Sequence, residues 1–266
     1  MPKSIRKVGA TTCLIVLLGL TATRRAAAIS PIQVTAGALQ HGTVEQRLEA
    51  LVDILKIPPD QRDAQLWRAI RQEATRMLNY RRSRSARHDS PNEHELNESY
   101  SAGLVIALSE SNDPSVIHLL IEYSGSSRPA IDALARFGSL AVPMMLQTAR
   151  RAEDDLNQKG GVTIALVKIL RQPDSDTLAP LTEANRRQIE ALAEGLLSRK
   201  ARLRSDEVGN LADLALATRR SDLRAEVVRL ATDRSAWLDH GVVSSFSIEF
   251  GQRILQAELK REPEGP

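Results

Sequence analysis

The sequence predicts an all-α chain of about ten or eleven helices, and three observations lead there. Apolar residues recur at i, i+3, i+4 and i+7 along nearly the whole chain, the period that gives a helix one buried stripe. Aromatics make up only 3% of the residues while Leu and Ala are abundant, a composition suited to closely packed helices rather than β-sandwiches. Strand-like alternation is lacking except near Gly241–Phe250, where Val, Ser, Phe and Ile break the rhythm and predict a short extended piece or a capping turn.

Residues 1–28 read as a signal peptide. Lys3, Arg6 and Lys7 give a basic start, Val8 to Ala22 is mostly apolar, and Ala26-Ala27-Ala28 supplies small residues for cleavage before Ile29. The apolar run falls short of the roughly 20 residues a membrane span needs, so no stable insertion is expected once the segment is removed. Arg24 and Arg25, and the lack of any acid before Glu45, also fit an organelle transit peptide; the compact, non-amphipathic Leu-Ile-Val-Leu-Leu core favours export to the periplasm or the exterior. Cys13 lacks the small-residue context of a lipid-anchoring site.

Residues 29–42 form a lead-in, and residues 43–90 a set of N-terminal helices. Thr43 and Gln46 have capping-box spacing ahead of Val44, Leu48, Leu51, Val52 and Leu55, and Pro58-Pro59 stops that helix. A second helix from about Asp60 carries Leu66, Ile70, Ala74, Met77 and Leu78. It ends in a basic run, Tyr80 to Arg87, followed by Asp89, Glu93, Glu95 and Glu98. From Ser90 a third helix presents Leu96, Tyr100, Gly103, Leu104, Ala107 and Leu108.

Residues 91–266 repeat one theme. In Ser127 to Arg151, Ile131, Leu134 and Ala135 mark one short helix and Val142, Met145, Leu146 and Ala149 the next. Gly138 lies between them, where a helix end requires a left-handed residue, and Pro143 sits in the first turn of the second. A copy precedes at an offset of 26, with Leu108, Val116, Leu119, Leu120 and Tyr123 matching Leu134, Val142, Met145, Leu146 and Ala149. There Asn112-Asp113-Pro114 supplies an N-cap followed by Pro.

Ala133-Leu134, Gly138 and Ala141-Val142-Pro143 resemble the short bacterial HEAT-like repeat, over roughly 50 residues with the preceding copy. The resemblance implies an α-α superhelix, a HEAT-like solenoid, whose usual work is to bind other proteins. Similar repeats occur in bilin lyases, but an exported chain without a mature cysteine argues against pigment attachment.

Further helices are predicted around Val162, Ala165, Leu166, Ile169 and Leu170, then Ile189, Leu192, Ala193, Leu196 and Leu197. Two more, capped by Ser205 and by Ser221-Asp222, carry Val208, Leu211, Ala212, Ala215 and Leu216, and Leu223, Val227, Leu230 and Ala231. Pro173 to Pro180 is the longest polar loop of this half, and a last helix holds Ile254, Leu255 and Leu259.

The formal charge of +3 falls to −2 when Lys3, Arg6, Lys7, Arg24 and Arg25 leave with residues 1–28. The basic balance therefore belongs to the targeting segment and gives no support for a nucleic-acid partner. Arg62 to Arg87 holds eight Arg against Asp63 and Glu73, a candidate phosphate or anionic-lipid surface, which the acids downstream partly neutralise. Cys13 is the one cysteine, so the mature chain relies on packing rather than disulfides.

His88, Asp89, Glu93, His94, Glu95 and Glu98 form the best metal candidate, His94 and Glu98 being one helical turn apart. They support an alternative reading as a metal-dependent hydrolase or other enzyme. The same residues also suit a solvated loop and an acidic first turn facing the helix dipole. No Gly-x-Ser-x-Gly, phosphate loop or dinucleotide fingerprint is present, and no catalytic, metal or cofactor residue is assigned. The expected role is protein binding through outward positions of successive second helices: His118 and Glu122 in the first pair, Gln147 and Arg151 in the next.

Overall fold

The computed structural model describes residues 39, 41–83, 91–151, 156–198 and 207–261. Among them are twelve helices and no strand. The expected signal peptide, His88, Asp89, Ser90 and the Ser205 cap lie outside the described residues. The chain divides into two compact units, one ending at Leu108 and the other beginning at Ser109.

The first unit contains α1 (Val44–Leu55), α2 (Ala64–Ser83) and nearly all of α3 (Pro91–Ser109). The capping box at α1 is complete: Gln46 N donates to Thr43 Oγ1 at 3.3 Å and Thr43 N donates to Gln46 Oε1 at 2.9 Å. Its buried stripe is Leu48, Leu51 and Ile54, so Ile54 takes the inward place expected of Leu55. α2 starts later than Asp60. Pro59–Gln61 forms a 3₁₀ turn, and the Asp63 carboxylate then accepts from Leu66 N at 2.8 Å as the cap. Tyr100, Leu104, Ala107 and Leu108 of α3 are buried, and Gly103 lets the backbone pass close to Leu51, whose Cδ2 would lie 2.7 Å from an added Cβ.

This unit also buries a carboxylate. Glu73 accepts from Arg76 Nε at 2.9 Å and from the Tyr100 hydroxyl at 3.2 Å. Burial, with the Glu73 charge beside it, pushes the Tyr100 phenol well above its ordinary value of 10.0.

The second unit begins with a 3₁₀ turn, Pro114–Val116, capped as its Asn-Asp-Pro sequence predicts: Asp113 Oδ1 accepts from Ser115 N at 2.9 Å. There follow α4 (Ile117–Ser124), α5 (Arg128–Phe137), α6 (Val142–Arg151), α7 (Leu156–Arg171), α8 (Glu183–Leu197), α9 (Val208–Ala217), α10 (Ser221–Thr232), α11 (Arg234–Asp239) and α12 (Ser245–Arg261). Two rows emerge from their packing. In one, α4, α6, α8 and α10 each touch the next; in the other, α5, α7, α9 and α12 do the same. The rows join because α4 packs on α5, α6 on α7, α8 on α9 and α10 on α12. α7 touches four helices, which is why Gly161, Val162, Thr163, Ala165, Leu166, Val167, Ile169 and Leu170 are all buried rather than a single stripe.

Gly138 ends α5 with φ +57° and ψ −132°. The positive φ is as expected, but ψ departs from the left-handed helical value, so the chain leaves in an extended direction that only glycine adopts without strain. The polar loop after α7 lies across this turn. Leu178 N donates to Arg136 O at 2.7 Å and Ser139 N to Ala179 O at 3.0 Å. Ser139 Oγ donates to Pro180 O at 2.6 Å and accepts from Thr182 N at 2.9 Å, while Asn185 Nδ2 donates to Ser139 O at 3.1 Å.

Near the C-terminus the structure gives a turn and not the short extended piece, the two alternatives that Gly241–Phe250 allowed. Gly241, at φ +74°, ends α11, and α12 is already helical from Ser245. Trp237 is fully buried, donates Nε1–H to Leu230 O at 2.7 Å, and lies against Gly251, which leaves no room for a side chain there.

Candidate functional site

The row α4, α6, α8 and α10 is built so that its apolar residues face inward. Val116, Leu119, Leu120 and Tyr123, and Val142, Met145, Leu146 and Ala149, are all buried as their spacing predicts. Helical geometry then turns the intervening positions outward. His118, Glu122, Gln147 and Arg151 are all exposed, on two helices that pack against each other. With its amide oxygen toward Arg151, Gln147 accepts from that guanidinium at 2.6 Å. Met144 adds an exposed apolar side chain on α6.

Further along the row, Arg220 ties α8 to the start of α10. Its Nη1 donates to Glu194 Oε2 at 2.9 Å and its Nε to Asp222 Oδ1 at 3.0 Å. The bond from Arg220 holds the Asp222 carboxyl below the usual carboxylate range. Arg220 thus bridges a carboxylate on α8 and one at the start of α10.

A second feature was not legible as a site in the sequence. Between the end of α4 and the starts of α7 and α9 lies a cleft of ≈ 320 Å³, lined by Gly125, Ile131, Asn157, Lys159, Gly160 and Asn210 among others. It exists because two backbones meet. A Cβ on Gly125 would lie 2.8 Å from the Asn157 carbonyl carbon, and one on Gly161 would overlap the Ser124 backbone. Lys159 and Glu207 form a half-buried ion pair at 3.4 Å at its edge. The sequence signal was the Gly160-Gly161 pair inside a helix, which costs about 1 kcal/mol per glycine and so demands a packing reason.

The hydroxyls of this cleft are committed to the backbone: Ser124 Oγ donates to Ile121 O at 2.8 Å and Thr163 Oγ1 to Lys159 O at 2.8 Å. Neither His nor Cys is among its lining residues. Of the metal candidates, Glu93, Glu95 and Glu98 are exposed and His94 is half-buried on α3. Among the described residues no three His, Cys, Asp or Glu side chains come together as a metal site. The Arg-rich segment is not a single basic face, since Arg62 is buried, donates to Ile57 O at 2.9 Å and stacks on Trp67, while Arg76 pairs with Glu73. Among the described residues no helix is long and apolar enough to cross a membrane.

No family model, curated protein or solved structure matches the chain.

Proposed function

We propose that this chain is an exported α-α superhelix of HEAT-like kind, acting as a scaffold that holds another protein along α4, α6, α8 and α10. The carrying observation is the packing order: each helix of that row touches the next, and its exposed positions are mostly polar and of mixed charge, with Met144 and Val228 as exposed apolar side chains among them. Stacked repeats place equivalent positions side by side, which turns short helices into one extended binding face. Export rests on the basic start, apolar core and Ala26-Ala27-Ala28 of the leading segment.

Replacement of His118, Glu122, Gln147 and Arg151 together by Ala tests the face. Recovery of a partner that co-purifies from the native host should fall severalfold, while helical content and melting temperature stay near wild type, because exposed changes move stability by no more than about 0.5 kcal/mol. Full partner recovery with the quadruple variant refutes this face.

A further inference from the structure

From α11 into the first turns of α12 the chain exposes four large apolar side chains within thirteen residues. Leu238 is 50% exposed, Val243 80%, Phe246 77% and Phe250 46%. Two of the chain's three Phe are therefore in solvent, and they stack on each other with centroids 6.2 Å apart. Ile248, Gly251 and Leu255 form the buried side of α12, and at 100° per residue Phe246 and Phe250 fall on the opposite side. Solvation alone does not account for such a face, since scattered single apolar residues are ordinary but a cluster is not.

We infer that this face is the contact between two copies of the chain, related by a two-fold axis across antiparallel α12 helices. Three observations select a second copy. The first is area: the four side chains expose on the order of 400 Å², about half of the roughly 800 Å² per partner of a stable interface and close to its usual apolar share. The second is charge. Between Asp233 and Arg261, Arg234, Arg253, Lys260 and Arg261 balance Asp233, Asp239, Glu249 and Glu258, so two copies do not repel and an anionic bilayer gains nothing. The third is self-complementarity. Glu249 and Arg253 lie one turn apart on the same flank of the Phe face, both exposed. In an antiparallel pair crossing near residue 251, Glu249 faces the partner's Arg253, and the two-fold axis repeats that pairing.

The interface uses α12 and not the row of α4, α6, α8 and α10, so it stands apart from the scaffold reading, and the quadruple Ala variant leaves it intact. Sedimentation equilibrium or light scattering on purified protein, over a concentration series, should give twice the chain mass at the upper end. Phe246→Ser with Phe250→Ser should give the chain mass throughout, with unchanged helical content and melting temperature, raising the dissociation constant roughly thirtyfold or more. Glu249→Arg should weaken the dimer by itself, and adding Arg253→Glu should restore it. A wild-type monomer at every concentration overturns the proposal, as does a dimer that survives the double Ser change. Monomeric protein that co-sediments with phosphatidylglycerol vesicles through these Phe residues would also overturn it, making the face a lipid contact.

Discussion

The carbonyl oxygen of Ala179 occupies the space into which a side chain at Gly138 would project, and the neighbouring Ser139 N–H donates to that same oxygen at 3.0 Å. The turn between α5 and α6 and the loop after α7 are thus made for each other. Gly138→Ala should lose about 2 kcal/mol or more, from positive-φ strain plus displacement of the loop. Gly241→Ala is the control, because Gly241 has φ +74° but nothing within 4 Å of its added Cβ. It should lose only about 1 kcal/mol. Equal urea midpoints for the two variants would show that the loop yields freely.

Two helical glycines should respond in opposite directions. Gly161→Ala drives a methyl into the Ser124 backbone and should destabilise by about 2 kcal/mol, with α4 pushed off α7. Gly195, near the end of α8, has nothing within 4 Å of its added Cβ. There Ala should stabilise by about 0.5–1 kcal/mol through helix propensity alone. Thermal unfolding of both variants checks the pair.

Tyr100→Phe removes one of the two described bonds to the buried Glu73 carboxylate and should cost about 1–2 kcal/mol at neutral pH. The phenol's folded-state pKa is raised, so the folded chain holds this proton more tightly than the unfolded one. Its contribution is full below the ordinary value of 10.0 and is lost as pH rises above it. The gap between wild type and variant should therefore narrow in denaturant titrations at about pH 11 relative to pH 7. A gap unchanged across that range would mean that Tyr100 ionises as freely folded as unfolded.

Export predicts a mature N-terminus at Ile29. Intact-mass measurement on protein from the native host should show the loss of residues 1–28; soluble protein that keeps Met1 would remove both the export reading and the shift of formal charge from +3 to −2.

Local signals were the legible ones. Thr43-Gln46, Asp113-Pro114 and Gly138 announce helix ends because caps and positive φ depend on residues a few positions apart. The stripe of α6 was readable because that helix buries one side, while α4 buries Ile117 and Ile121 in addition to its expected stripe. By contrast α7 and α9 are buried almost all round, and periodicity cannot report a side that is not distinguished. The β-branched and aromatic content of Gly241–Phe250 left extension open beside a capping turn, yet Ser244 starts a helix there and Trp237 fills the space against Gly251, a tertiary fit that no short window contains. His118, Glu122, Gln147 and Arg151 could be placed outward from the same stripes. The cleft beside Lys159 and Glu207, which are 48 residues apart, depends on helices meeting end to end and was hidden for that reason.

Among the described residues of the second unit, the substantial helix contacts join near neighbours in the chain: α4 reaches to α7, and α9 reaches to α12. Such wiring gives opening a direction. Amide hydrogens of α11, which leans chiefly on α10, should exchange with deuterium first, and those of α7 last, since α7 cannot be freed until the four helices around it have let go. Refolding should run the other way, spreading outward from α7 through contacts that are short in sequence and quick to close.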